Sequence, residues 1–175
     1  PVVIGVSGHA VGGGMGLALT GDVIIASENA MFMSGFFRLG AIPDIAIMYH
    51  LPRLIGMARA KKFLFNGESF TAQQAEELGL VSRVVANENI FEEGLSEAKR
   101  LAQGPAEVMG LAKIMMARSF ETSLNDMMTY EGMGQALAMS NPEFHEGLTS
   151  LLNRQPADFL GAAKKNTLSE KRVDE

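Results

Sequence analysis

The chain has 175 residues, 47% of them hydrophobic, and a formal net charge of −5. An acidic balance gives no footprint for nucleic acid, and no apolar run approaches the roughly 20 residues of a membrane span, so neither is an expected partner. There is no cysteine, and the three histidines, His9, His50 and His145, are scattered, which excludes disulfides and thiolate chemistry and leaves no metal site to expect.

In chain order, Val2-Val3-Ile4-Gly5-Val6 is a largely β-branched run suited to a strand buried on both faces. It leads into Ser7-Gly8-His9-Ala10-Val11-Gly12-Gly13-Gly14-Met15-Gly16, which predicts a turn and then a helix over 14–21. Successive glycines at a helix start leave backbone N–H groups unobstructed, an arrangement suited to an anion or a developing oxyanion. The common phosphate motifs do not fit. No Lys-Ser/Thr follows Gly14, and the third glycine of G-x-G-x-x-G is missing. Gly5-Val6-Ser7-Gly8-His9 approaches a nucleophile elbow, but His9 stands where its last glycine belongs. A packing turn without chemistry is the competing reading of this stretch.

Asp22–Ser27 and Ala30–Met33 read as further strands, and strand-helix-strand alternation implies a parallel α/β arrangement. Residues 35–40 read as irregular. Ile42-Pro43-Asp44 opens a helix reaching Gly56, followed by a helix over 57–66. A third helix begins at an N-cap, Thr71, and stops at Gly79. Val81–Val85 is a short strand, and helices are expected over 90–103, 105–118, 122–139 and 142–153. The α/β layer ends near Ala86, a helical region covers 87–160, and 161–175, charged and aperiodic from Lys164, is expected to be a disordered tail. The methionines of the helical region suit adaptable core or subunit contacts.

Asp44 is the singled-out carboxylate: Phe36, Phe37, Ile42, Ile45 and Ile47 surround it in sequence. Such a group is either a general base in an apolar pocket or a helix cap. His50, six residues on, lies off its helical face, and Arg38 and Arg53 read as structural pairing groups.

Three ordered segments, Pro1 to Gly14, Asp22 to Ser27, and Leu39-Gly40-Ala41-Ile42-Pro43-Asp44, resemble the enoyl-CoA hydratase/isomerase (crotonase) family. Leu51-Pro52-Arg53-Leu54-Ile55-Gly56, Gly67 to Val81, and Glu146-Gly147-Leu148 to Phe159 extend the resemblance to about residue 160. The resemblance implies a ClpP/crotonase spiral α/β core with a C-terminal helical appendage, and an N-terminal third that is absent from this chain. Gly13 matches one of two oxyanion-hole N–H donors, the other belonging to that third. Hydratases of the family carry two glutamates where this chain has Gly16 and Phe36, whereas isomerases place the acid where Asp44 stands. The segment from Phe36 to Arg53 looks most like the isomerase branch that includes epoxyphenylacetyl-CoA isomerases. The implied chemistry is a 3-enoyl-CoA to 2-enoyl-CoA shift, with Asp44 and Gly13 catalytic, and Gly12, Phe36, Ile45 and Phe159 binding substrate. A hydratase or another enolate-forming member is the alternative, and a truncated, non-catalytic acyl-CoA-binding or association domain is another. No cofactor is implied beyond the coenzyme A thioester, which is the substrate. Homotrimers or hexamers are implied, and a cytoplasmic location is the default. After Asp44 the family continues with small residues such as Gly-Gly-Thr. Here Ile45-Ala46-Ile47-Met48 follows, and these bulkier residues narrow or reshape the acyl pocket.

Overall fold

A computed structural model describes residues 1–170, with side chains as far as Lys164. Residues 2–98 and the described residues from 99 onward fall into separate compact units.

In the first unit, β1 (Val3–Val6) turns through Gly8 into β2 (His9–Val11), and α1 (Gly13–Ala18) follows. β3 (Val23–Ser27) is likewise followed by β4 (Met31–Met33). A 3₁₀ turn at Phe36–Leu39 then precedes α2 (Ile47–Ile55) and α3 (Met57–Asn66). β5 (Ser69–Thr71), α4 (Ala72–Glu77) and β6 (Arg83–Val85) complete the pattern before α5 (Ile90–Ala102) begins. One parallel sheet has the order β1-β3-β6, with Val3 opposite Val23 and Ile25 opposite Arg83. A second has the order β2-β4-β5, with β2 parallel and β5 antiparallel to β4. Each β-β step therefore places one strand in each sheet, and the chain winds as a spiral. Met15, Ile24, Phe32, Ile47, Leu51 and Phe63 form the core between these elements, where Phe63 stacks on Phe70 with ring centroids 4.2 Å apart. Burying such side chains contributes about 1.5–3 kcal/mol each, the dominant favourable term here.

Several elements differ from the sequence-based expectation. His9–Val11 is strand rather than turn because its partner is nonlocal: it pairs with Met31–Met33, and Gly12 N–H extends the ladder to Met33 C=O at 2.9 Å. β5 was not expected either, since three half-buried residues carry little periodicity of their own. The helix expected from Pro43 and Asp44 begins at Ile47, its N-cap being Ala46 in a left-handed conformation. Asp44 consequently caps no helix. Its carbonyl instead accepts from Ile47 N–H at 3.1 Å. At Thr71 the expected cap is present as a full capping box: Thr71 Oγ1 accepts from Gln74 N–H, and Thr71 N–H donates to Gln74 Oε1.

The first unit extends past Ala86 because the start of α5 packs on the strands. A Cβ on Gly5 would lie 3.4 Å from Ile90, and Arg83 pairs with Glu93 and Glu97. In the second unit, α6 (Ala106–Ala117), α7 (Leu124–Met139) and α8 (Pro142–Asn153) follow, with Ser123 capping α7 and Asn141 capping α8. Met115, Met116 and Met127 line a cavity of about 320 Å³ between α6 and α7, while Met128 and Met133 are exposed. Where an irregular tail was expected from residue 161, α9 (Phe159–Glu170) is helical. Asp158 starts it: its N–H donates to Glu146 at 2.9 Å and its carboxylate accepts from Gly161 N–H at 2.9 Å. The remainder of that expected tail, 171–175, lies outside the described residues.

Candidate active site

The glycine stretch makes a sharp reversal between β2 and α1. Gly12 has φ +55° and ψ −123°, a backbone state that side-chain-bearing residues rarely enter. Its carbonyl accepts from Gly16 N–H at 3.1 Å, closing the first turn. Gly13 follows as the first helical residue, and an N–H at that position has no acceptor within its own helix. At only six residues, α1 has a small dipole, and the polarity of the turn comes from the N–H groups themselves.

Two segments converge on this turn. From the 3₁₀ turn, the Phe36 ring stands beside Gly12: a Cβ there would lie 3.6 Å from Phe36 Cζ. Gly35 and Gly40, with φ of +71° and +67°, bracket that turn, and Arg38 fixes it by donating from Nη2 to Gly67 C=O at 2.9 Å. Asp44 and Ile45 approach Gly13 from the other side. A Cβ on Gly13 would lie 2.9 Å from Ile45 Cδ1 and 3.9 Å from Asp44 Oδ1. At Gly16, a Cβ would meet Ile45 C=O oxygen at 2.7 Å, Ile45 Cβ at 2.8 Å and Ile47 Cγ1 at 3.1 Å. The first two are separations that real Cβ atoms do not tolerate, and the third is tight. By contrast, Gly14 has nothing within 4 Å.

The turn after Asp44 is strained. Ile45 and Ala46 have φ of +47° and +56°, the left-handed region that costs an ordinary residue about 1–2 kcal/mol, and Ile45 is β-branched besides. Asp44 itself is exposed. The apolar pocket expected around it does not close in this chain, because the turn carries Ile42, Ile45 and Met48 outward, 50–72% exposed, while Ile47 alone of this run points into the core.

The structure thus brings Gly12, Gly13, Phe36, Asp44 and Ile45 together. Phe159 lies in the other compact unit, on α9, packed at 3.3 Å against the Cβ position of Gly147. His50 sits on α2, edge-on to the Tyr49 ring at 5.3 Å. Burial, and then the Arg53 charge, hold its pKa below the ordinary histidine value. Arg53 lies 3.6 Å over the Tyr49 ring and donates to Tyr49 C=O. Arg38, read from sequence only as a pairing group, proves to anchor the turn that carries Phe36; the flanking Gly35 and Gly40 were the signal for that turn. Among the described residues no group of three or more histidine or acidic side chains is placed to hold a metal ion, and no helix is long and apolar enough to cross a membrane.

A spiral α/β unit with glycine N–H groups and one carboxylate at a strand-helix reversal, joined in sequence to a helical unit, defines the crotonase class of proteins. A family profile described as enoyl-CoA hydratase/isomerase matches residues 1–162, and the chain belongs to that family. It is 34% identical over 161 residues to 1,2-epoxyphenylacetyl-CoA isomerase of Escherichia coli K12, covering 92% of this chain and 62% of that protein. Its fold matches the crystal structure of an enoyl-CoA hydratase/isomerase from Cupriavidus metallidurans CH34 with a TM-score of 0.87 at 34% identity, over 91% of this chain and 60% of that one. A protein of Thermobifida fusca YX solved in complex with acetoacetyl-CoA matches with a TM-score of 0.76 at 27% identity, over 79% of this chain and 54% of that one. The chain therefore spans about three fifths of the length of these relatives.

Proposed function

We propose that this chain carries the proton-transfer part of an acyl-CoA isomerase site, moving a double bond from the 3- to the 2-position of an enoyl-CoA. The observation that carries the reading is the contact of Ile45 with Gly16. Position 16 has no room for a side chain, so the glutamate that a hydratase would carry there is sterically excluded, and the carboxylate nearest Gly13 is Asp44. Phe36 at the second hydratase position moves no proton.

In this reading the thioester carbonyl accepts from Gly13 N–H, as one of two donors to the oxyanion. Asp44 removes a proton from the α-carbon; the electrons pass into the carbonyl, forming a dienolate, and the same carboxyl returns the proton two carbons along. The pair works because the donors lower the acidity barrier while the base is held beside them. The acetoacetyl-CoA found with the Thermobifida relative supports a CoA thioester as ligand, and the reading needs no cofactor beyond it. Phe159, packed on Gly147, is the proposed contact for the nucleotide end. Exposed Met116, Met128, Met133 and Leu137 favour assembly into homotrimers or hexamers, placed by default in the cytoplasm.

Asp44→Asn tests it. Isomerisation of 3-hexenoyl-CoA falls by about 100-fold or more while butyryl-CoA binding persists; unchanged turnover removes Asp44 from the mechanism. Water addition to crotonyl-CoA by the same variant would favour the hydratase alternative.

A further inference from the structure

The residue after the acid does more than follow it. Ile45 Cδ1 lies 2.9 Å from the Cβ position of Gly13, the same glycine that Asp44 Oδ1 approaches at 3.9 Å. Its backbone cannot withdraw toward α1, because its carbonyl oxygen and Cβ already press on Gly16. At φ +47° the β-branched Ile45 is stiff at χ1. Its Cβ and branch point are therefore held in place one residue from the carboxylate, and the δ-methyl extends from them toward Gly13. On the other side of the dipeptide, the Phe36 ring is 3.6 Å from the Cβ position of Gly12.

We infer that Ile45 is a specificity-determining residue, one that selects acyl-CoA thioesters with an unbranched α-carbon. The inference rests on the isomerase reading, in which the carbonyl oxygen sits at Gly13 N–H within about 2.7–3.1 Å. The α-carbon is bonded to that carbonyl carbon and must also reach Asp44. Both requirements put it beside the Ile45 δ-methyl. A hydrogen on the α-carbon fits there, and a methyl branch meets the Ile45 side chain, whose Cβ cannot withdraw past Gly16.

The probes are butyryl-CoA and its α-branched isomer isobutyryl-CoA, which share size and charge and differ only in where one methyl is attached. Their dissociation constants are measured by calorimetry on the whole chain. Wild type binds butyryl-CoA about ten-fold or more tightly over isobutyryl-CoA, the discrimination one methyl group provides in a fitted pocket. Ile45→Ala brings the ratio to within about two-fold, chiefly by improving isobutyryl-CoA binding. Ala46→Gly relaxes the left-handed backbone while leaving the Ile45 side chain, and it keeps the wild-type ratio; its folding is checked by circular dichroism alongside Ile45→Ala. Equal binding of the two esters by wild type, a ratio unmoved by Ile45→Ala, or a ratio lost equally in Ala46→Gly each overturns the role of Ile45 while leaving the isomerase reading intact. Failure of wild type to bind either ester overturns the acyl-CoA reading and this inference together.

Discussion

Gly16→Ala sets two well-understood effects against each other. In an open helix interior, alanine is favoured over glycine by about 1 kcal/mol. Gly16 is buried within α1, and its new Cβ would lie 2.7 Å from Ile45 C=O oxygen and 2.8 Å from Ile45 Cβ. Neither atom is the far end of a flexible side chain, so the Asp44–Ile47 turn itself must move. Overpacking of this kind costs about 1–3 kcal/mol, which exceeds the propensity gain and leaves a net destabilisation of about 1 kcal/mol. For a unit of roughly 100 residues that is a Tm lower by about 4–8 °C. Gly14→Ala is the internal control: it stands two residues away on the same helix with nothing within 4 Å, so it is neutral or gains up to about 1 kcal/mol. Urea unfolding followed by circular dichroism measures both. A Gly16→Ala protein as stable as Gly14→Ala would mean that the turn yields freely, and the steric argument against a glutamate at position 16 would fail with it.

Two further outcomes follow from local geometry. Thr71→Ala removes the hydroxyl that accepts from Gln74 N–H, and the protein loses about 1 kcal/mol, read as a lower urea midpoint at constant m. His50 has its pKa held below the ordinary value, first by burial and then by Arg53. The folded chain thus favours the neutral ring, and between the lowered value and the ordinary one, about 6.5, the unfolded chain binds more protons. Stability is full above that window and falls as pH is lowered through it. His50→Gln loses less Tm than wild type between pH 7.5 and pH 5, and parallel pH profiles for the two proteins would exclude His50 as a source of that slope.

How far the sequence carries depends on how local the cause is. The Thr71 capping box is readable because all its partners lie within four residues, and the strands β1 and β3 because β-branched runs announce themselves. β2 was hidden because His9–Val11, set among glycines, resembles a turn until Met31–Met33 is placed beside it. α9 was hidden for a similar reason, since its first turn depends on Asp158 being held by Glu146 from the preceding helix. The association of Gly13 with Asp44 was legible only through resemblance: their spacing in sequence says nothing about proximity in space.

The misplaced start of α2 has a different origin, and it bears on the chemistry. Proline followed by aspartate is a sound helix-start signal, and it fails here because Ile45 and Ala46 take left-handed φ values that sequence rules reserve for glycine. Local preference and global fold disagree at these two residues, and such disagreements in folded proteins gather at functional sites, where the rest of the structure holds the strain. What holds it here is the glycine at 16, whose missing side chain admits the Ile45 backbone. The volume beside the glycine turn has a single occupant: either a side chain at position 16 or the main chain of residue 45. The choice of Gly16 and the strained turn after Asp44 are therefore one structural decision, and it delivers the carboxylate to Gly13 from the turn instead of from the helix.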